Sequence, residues 1–320
     1  MAAPANTITS LTNVGIREDL QDVIYRVAPE KTPFLSNIGK SNAKQVYHEW
    51  QTEDLAAPSG DNARLEGSDA GTLGAGNTPA RVGNYAQIFQ KSGVVSGTQE
   101  ATDLAGRASE VARQKLLKGL ELRRDMEVAM VRNGASRQQA STDARLVGGA
   151  SAWMSSNTSN GAGGSNGGFN TGTGIVDAAT PGTNRNFAED QVKSVMLACF
   201  NSGGSPTMSV MGGALKQKFS AFSGIADIRV PVAKGSQANI IGAAEVYVSD
   251  FGNLTLVPHP YALANECLLI DPEHWAVATL RPIFSQDLSV TGDNQKFEII
   301  GEATLVSRNQ KSSGAIRAIQ

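Results

Sequence analysis

Apolar positions near the start of the chain come at helical spacing. Ile16, Leu20, Val23, Ile24 and Val27 fall at steps of four, three, one and three, which predicts an amphipathic helix with Leu20, Val23, Ile24 and Val27 as one stripe. Pro29 ends it, because proline disfavours helical backbone in the residue before it. A second short helical turn is predicted over residues 32–39, with Pro33 inside its start and Gly39 as its stop. Two such pieces, joined through prolines, are too small to bury a core of their own. Residues 1–43 are therefore expected to form an arm whose stripe docks on a neighbouring chain.

Period two follows. In residues 44–51, Val46, His48 and Trp50 share one face and Tyr47 and Glu49 the other. Residues 85–91 set Ala86 and Ile88 against Gln87 and Lys91. Residues 53–81, between them, are polar and rich in Gly, Ala, Asp and Asn. The pattern predicts an extended β-hairpin over residues 44–95 with a tip of about 30 residues, longer than loops inside compact domains usually are. Trp50 and Phe89 are expected to find their burial against a neighbour.

The strongest helical signal covers residues 102–133, with Leu104, Val111, Leu116, Leu117, Leu120, Met126 and Met130 recurring and Gly134 as the closing residue. Glu110 with Arg113, Glu121 with Arg124 and Arg123 with Glu127 are expected as ion pairs along it. A helix of that length spans about 45 Å and has no matched partner nearby in sequence, so it reads as a spine across a flat subunit. Residues 148–174 are dense in Gly, Ser, Asn and Thr and predict a loop-like excursion within a region spanning 96–185. Asn186 and Glu189 fit a capping box that opens a helix carrying Val192, Val195, Met196 and Cys199. Short strands at 207–211, 225–230, 245–249, 254–257, 268–271 and 276–280, a helix at 214–222 and a turn at Asp250-Phe251-Gly252-Asn253 complete an α/β lobe at 186–285. Residues 286–320 hold a long strand, 297–307, that returns toward the spine helix. The predicted class is α+β.

Composition narrows the function. The 320 residues suit two or three lobes. Lys and Arg number 28 against 30 Asp and Glu, a formal charge of −2, which argues against a polybasic nucleic-acid binder. Charged residues are 18%, against about 25% in ordinary soluble domains, as expected if much of the exterior meets other subunits. Cys199 and Cys267 make no disulfide framework and are expected as buried free thiols, which suit assembly in a cytoplasm. The first residues lack the charged and apolar segments of a secretory signal, and no apolar run is long enough to span a membrane.

Catalytic patterns are absent. His48-Glu49 has no second histidine four residues on, and His259 and His274 stand alone, so no metal site is expected. Gly74-Ala75-Gly76 sits in a hairpin tip rather than between strand and helix, so it is no dinucleotide fingerprint. A hydrolase built on the α/β lobe would need an activated nucleophile, and none is evident. The basic residues of the spine helix are interleaved with Glu and Asp, which favours a salt-bridged face over a DNA site. The chain is expected to be neither an enzyme nor a cofactor binder.

The order arm, long hairpin, spine helix, α/β lobe and returning strand resembles the subunit of tailed-bacteriophage capsids, the Hong-Kong-97-type fold. Local wording is similar to the branch typified by the major capsid protein of podophage SU10. It is carried by residues 15–25 (Gly15-Ile16-Arg17-Glu18-Asp19-Leu20 and onward), Thr32-Pro33-Phe34-Leu35, His48-Glu49-Trp50-Gln51, Glu121-Leu122-Arg123-Arg124-Asp125-Met126-Glu127 and Gly314-Ala315-Ile316-Arg317. The resemblance implies arm, E-loop, peripheral domain and axial domain. It also implies self-assembly into hexamers and pentamers that tile an icosahedral head around double-stranded DNA, held without strong specific binding. A separate scaffolding protein, a portal and a decoration protein are the further partners it suggests, with the virion as the final location. Some members of the fold join a hairpin Lys to a neighbour's Asn; residues 53–81 contain no Lys, so no such cross-link is expected. An encapsulin-type nanocompartment shares the fold and is the alternative.

Overall fold

The computed structural model describes residues 31–69, 76–103, 106, 108–222 and 245–320. The stripe Leu20, Val23, Ile24 and Val27 and the strand expected at 225–230 lie outside them.

Helix α1 (Pro33–Asn37) begins with proline at its first turn, as the sequence predicts, and buries Phe34 edge-on against Trp275 at 6.3 Å. The chain then runs into β1 (Gly39–Asn42), which pairs with a strand more than 200 residues later. The end of the predicted arm is thus built into the body. Strand β2 (Tyr47–Thr52) pairs with β3 (Ala80–Tyr85), from Tyr47 opposite Tyr85 to Thr52 opposite Ala80. This corrects the hairpin, whose second strand was expected at 85–91. Gly83 and the polar Arg81 and Asn84 hide that strand's periodicity; the glycine is needed because a Cβ there would stand 2.7 Å from the Tyr47 ring. At Ala86, buried with its N–H on the Val46 carbonyl at 2.8 Å, the chain leaves the ribbon and continues as β4 (Gln87–Ser96) in another sheet.

The spine is shorter than its apolar pattern. A separate α2 (Gly97–Ala101) precedes it, Gly106 turns the chain with φ 74°, and α3 (Glu110–Val131) starts where the Ser109 hydroxyl accepts the Ala112 N–H at 3.1 Å. At its far end Arg132 exits in extended backbone, so Gly134 does not close the helix. Its 22 residues span about 33 Å. Of the expected pairs Glu110–Arg113 forms at 2.6 Å, whereas Glu121 takes Lys118 at 2.9 Å and Glu127 turns inward, away from Arg123.

Residues 148–174 are not a loose excursion. They hold α4 (Ala150–Trp153), all four residues buried, then β5 (Thr158–Ser159) and β6 (Gly168–Asn170), which pairs with β7 (Ile175–Asp177). Glycine is used here for close backbone approach: a Cβ on Gly149 would collide with the Arg132 carbonyl. Helix α5 (Glu189–Asn201) buries Val192, Val195, Met196 and Cys199 as expected, but its N-cap is Ala188 and the capping box does not form. Asn186 lies before the helix and accepts the Gln191 amide on its carbonyl, while Glu189 is drawn to the Tyr247 hydroxyl at 2.9 Å.

The remaining elements are β8 (Met208–Gly212), α6 (Gly213–Ser220), β9 (Val246–Ser249), β10 (Gly252–His259), β11 (Glu266–Ile270), β12 (Trp275–Asp287), β13 (Asn294–Ser307) and β14 (Gly314–Arg317). Asp250 and Phe251 make the predicted turn between β9 and β10. Among the described residues, beside the two-stranded β2-β3 and β6-β7, two larger sheets are ordered β1-β12-β13-β4 and β5-β14-β11-β8-β10-β9. Their strands cross the segment boundaries read from the sequence. Strand β12, from the 186–285 segment, belongs to the four-stranded sheet, and β14, from 286–320, to the six-stranded one. Composition marks segments, whereas sheet membership is decided by long-range pairing. One core joins α3 to both sheets through Leu122, Met130, Trp275, Phe297, Leu268 and Ile270; a second lies under α5 and α6.

Candidate assembly surfaces

The hairpin is rigid at its root and bare beyond it. The Trp50 indole N–H donates to the Ser307 carbonyl at 2.8 Å, and its ring lies 5.4 Å from that of Trp153, which stacks on Phe169. The Tyr47 hydroxyl donates to the Gly174 carbonyl, and the Asn84 side chain bridges Leu305 and Gly148. So the segment read as a loose excursion forms the platform for the hairpin. Beyond Thr52 the described residues of 53–79 are exposed, with Leu55 91% and Leu65 84% accessible. Asp54, bound to Lys311 at 2.6 Å and by its carbonyl to Asn77, sets the direction in which this stretch leaves the body.

Of the residues expected to meet a neighbour, Phe89 is only 5% exposed and sits in the chain's own core, because β4 belongs to the sheet behind α3. Trp50 is half-buried by the contacts just described. Other apolar side chains stand exposed among the described residues. Ile283 and Phe284 lie on the outer half of β12, past the point where β1 stops covering it, and Leu288 and Val290 lie in the connection from β12 to β13. Leu197, Phe200, Val246 and Val248 are exposed around α5 and the outermost strand of the six-stranded sheet. Strand alternation could have found Val246 and Val248; nothing local marks which half of β12 goes uncovered.

No catalytic geometry emerges among the described residues. His48 is half-buried against Trp50, and burial lowers its pKa. His259 is buried against Glu127 at 3.1 Å, not in a loop as the flanking prolines suggest, and His274 lies 3.7 Å from Asp271. Both thiols are buried, and burial pushes each up to about 12. Among the described residues no group of His, Cys, Asp and Glu is arranged to hold a metal ion, and no helix is long and apolar enough to cross a membrane.

The family model for the SU10 major capsid protein matches residues 3–320. The major capsid protein of Escherichia phage Phieco32 is 24% identical over 327 residues, covering 91% of this chain and 90% of its own length. Among solved structures, a chain of the cyanophage A-1(L) capsid asymmetric unit is similar with a TM-score of 0.66 at 13% identity, covering 98% of this chain and 99% of that one. A chain from the capsid of a native GTA particle gives 0.61 at 11% identity over 97% and 98%. A chain from a structure of phage G major capsid and decoration proteins gives 0.54 at 12% identity over the full length of both.

Proposed function

We propose how this chain, which belongs to the SU10 major capsid protein family, builds its shell. It is a phage major capsid protein of the Hong-Kong-97-like fold, and its place is the virion capsid. In our reading, subunits join into hexamers and pentamers of an icosahedral head, assembled in the bacterial cytoplasm around a separate scaffolding protein and a portal. The head then encloses double-stranded DNA without strong specific binding, as suits a chain of net charge −2. A decoration protein is a further candidate partner. The nanocompartment reading gains nothing from these similarities, which are to phage and GTA capsids.

The observation that carries the proposal is the hairpin. A rigid root presents the described residues 53–69 and 76–79, all of them exposed, with Leu55 and Leu65 unburied by their own chain. Burying such side chains against neighbours yields about 25 cal/mol per Å² of apolar surface, and closed symmetry repeats each modest contact many times. The arm stripe Leu20, Val23, Ile24 and Val27 is proposed as a second contact of this kind. Sedimentation and electron microscopy of the chain co-expressed with its scaffolding protein test the reading. Closed shells or capsomers are expected, and a monomer at every concentration contradicts it.

A further inference from the structure

We infer that Glu127 is a positioning residue: a buried carboxylate that couples the root of the N-terminal arm, at Phe34 and Leu35, to the β10–β11 turn of the six-stranded lobe. The inference rests on the shell reading only for its consequence, since its test needs no assembly.

Glu127 lies near the C-terminal end of the spine helix α3 and is completely buried. A carboxylate there is costly unless its oxygens are bonded. They are. One oxygen accepts the Phe34 N–H at 2.7 Å and faces His259 Nε2 at 3.1 Å; the other accepts the Leu35 N–H at 2.8 Å. On the far side of the imidazole, Nδ1 accepts the N–H groups of Tyr261 and Ala262 at 3.2 and 3.0 Å. An Nδ1 that accepts carries no proton, so the ring proton is on Nε2 and points at Glu127. The tautomer and the carboxylate therefore fix each other.

The chain around both ends gives this bridge its reach. Pro33 precedes the two bonded amides, and Phe34 packs on Trp275, at the start of β12. At the other end the turn held by His259 contains Leu263 in left-handed backbone, φ 63°, whose carbonyl accepts the Gly212 N–H at the end of β8. Displacing residues 34–35 leaves buried acceptor capacity on Glu127. The carboxylate then pulls on the ring, and the ring on residues 261–262. The root of the arm, at residues 34–35, and the six-stranded lobe thus share one buried side chain.

Hydrogen exchange on the full-length chain reads this amide by amide. In Glu127→Gln an –NH2 group replaces one acceptor and meets N–H donors. The amides of Phe34, Leu35, Tyr261 and Ala262 should all exchange at least about tenfold faster, while those of β8 and β11 keep wild-type rates. His259→Gln keeps a donor for Glu127, but its acceptor oxygen sits on the terminal carbon, one bond beyond the position of Nδ1, so the Tyr261 and Ala262 N–H groups lose the partner they have. It should speed both pairs as well, and it decides the matter if Glu127→Gln does not fold. Unchanged rates at 34–35 in Glu127→Gln overturn the anchor. Faster exchange confined to one end, in either variant, overturns the coupling.

Discussion

Arg317 has no exposed surface and spends its guanidinium on one short stretch of chain. Its Nε donates to the Ser151 hydroxyl at 3.1 Å, and its terminal nitrogens reach Asn160 at 3.1 Å and the carbonyls of Ser151 and Met154, the latter at 2.8 Å. Burial lowers its pKa, and Glu266, bonded to Ser151 at 2.6 Å, opposes that. Arg317→Ala strands these acceptors and should cost about 3–5 kcal/mol, read as a lower urea midpoint. The two thiols give a pH signature. Each pKa rises on folding from 9.0 to about 12, so the contribution is fully present below pH 9 and is lost as pH climbs toward 12. Native protein at pH 8 should resist thiol reagents, and denatured protein should react at both cysteines; labelling of the native chain would place a thiol at the surface. Cys burial was legible from residue type and helical face. Glu127 was not: its spacing to Arg123 fits a surface pair equally well, and only the fold brings His259 and residues 34–35 to it.

Elements were legible where the pattern is local. The turn at Asp250-Phe251 and the apolar face of α5 follow directly from spacing. Errors came where distant residues decide. β3 looks like loop because its partner side chains dictate Gly83, and α4 looks like linker because small residues there serve close packing. The hairpin root rests on Trp50, and Trp50→Ala removes its bond to Ser307 and its contact with Trp153. A cost of about 2–4 kcal/mol is expected, with faster proteolysis between residues 52 and 80 as the readout. Lys91, read as a hairpin residue, lies in β4 and pairs with Asp125 at 2.7 Å. With no Lys in residues 53–81, mature shells should run as one monomer band on denaturing gels; a ladder would refute that.

At the scale of the molecule, the sequence order implied the right family while misplacing which segments share a sheet. The arm carries the clearest whole-molecule test. Ile24→Asp sets a charge in the stripe of Leu20, Val23 and Val27, costing several kcal/mol wherever that face is docked. Shell formation should fail under the electron microscope while circular dichroism of the soluble chain stays native; normal shells, or a globally unfolded chain, would show the stripe to be misassigned. Another consequence lies in β13. It is hydrogen-bonded to β4 from Asn294 to Ala303 and to β12 from Phe297 to Ser307. A force applied along the strand must shear both ladders together, whereas a force across it opens them pair by pair. The subunit is therefore mechanically anisotropic, stiff along one axis and peelable along another, and a container under internal pressure lasts longest when its tension runs along the stiff one.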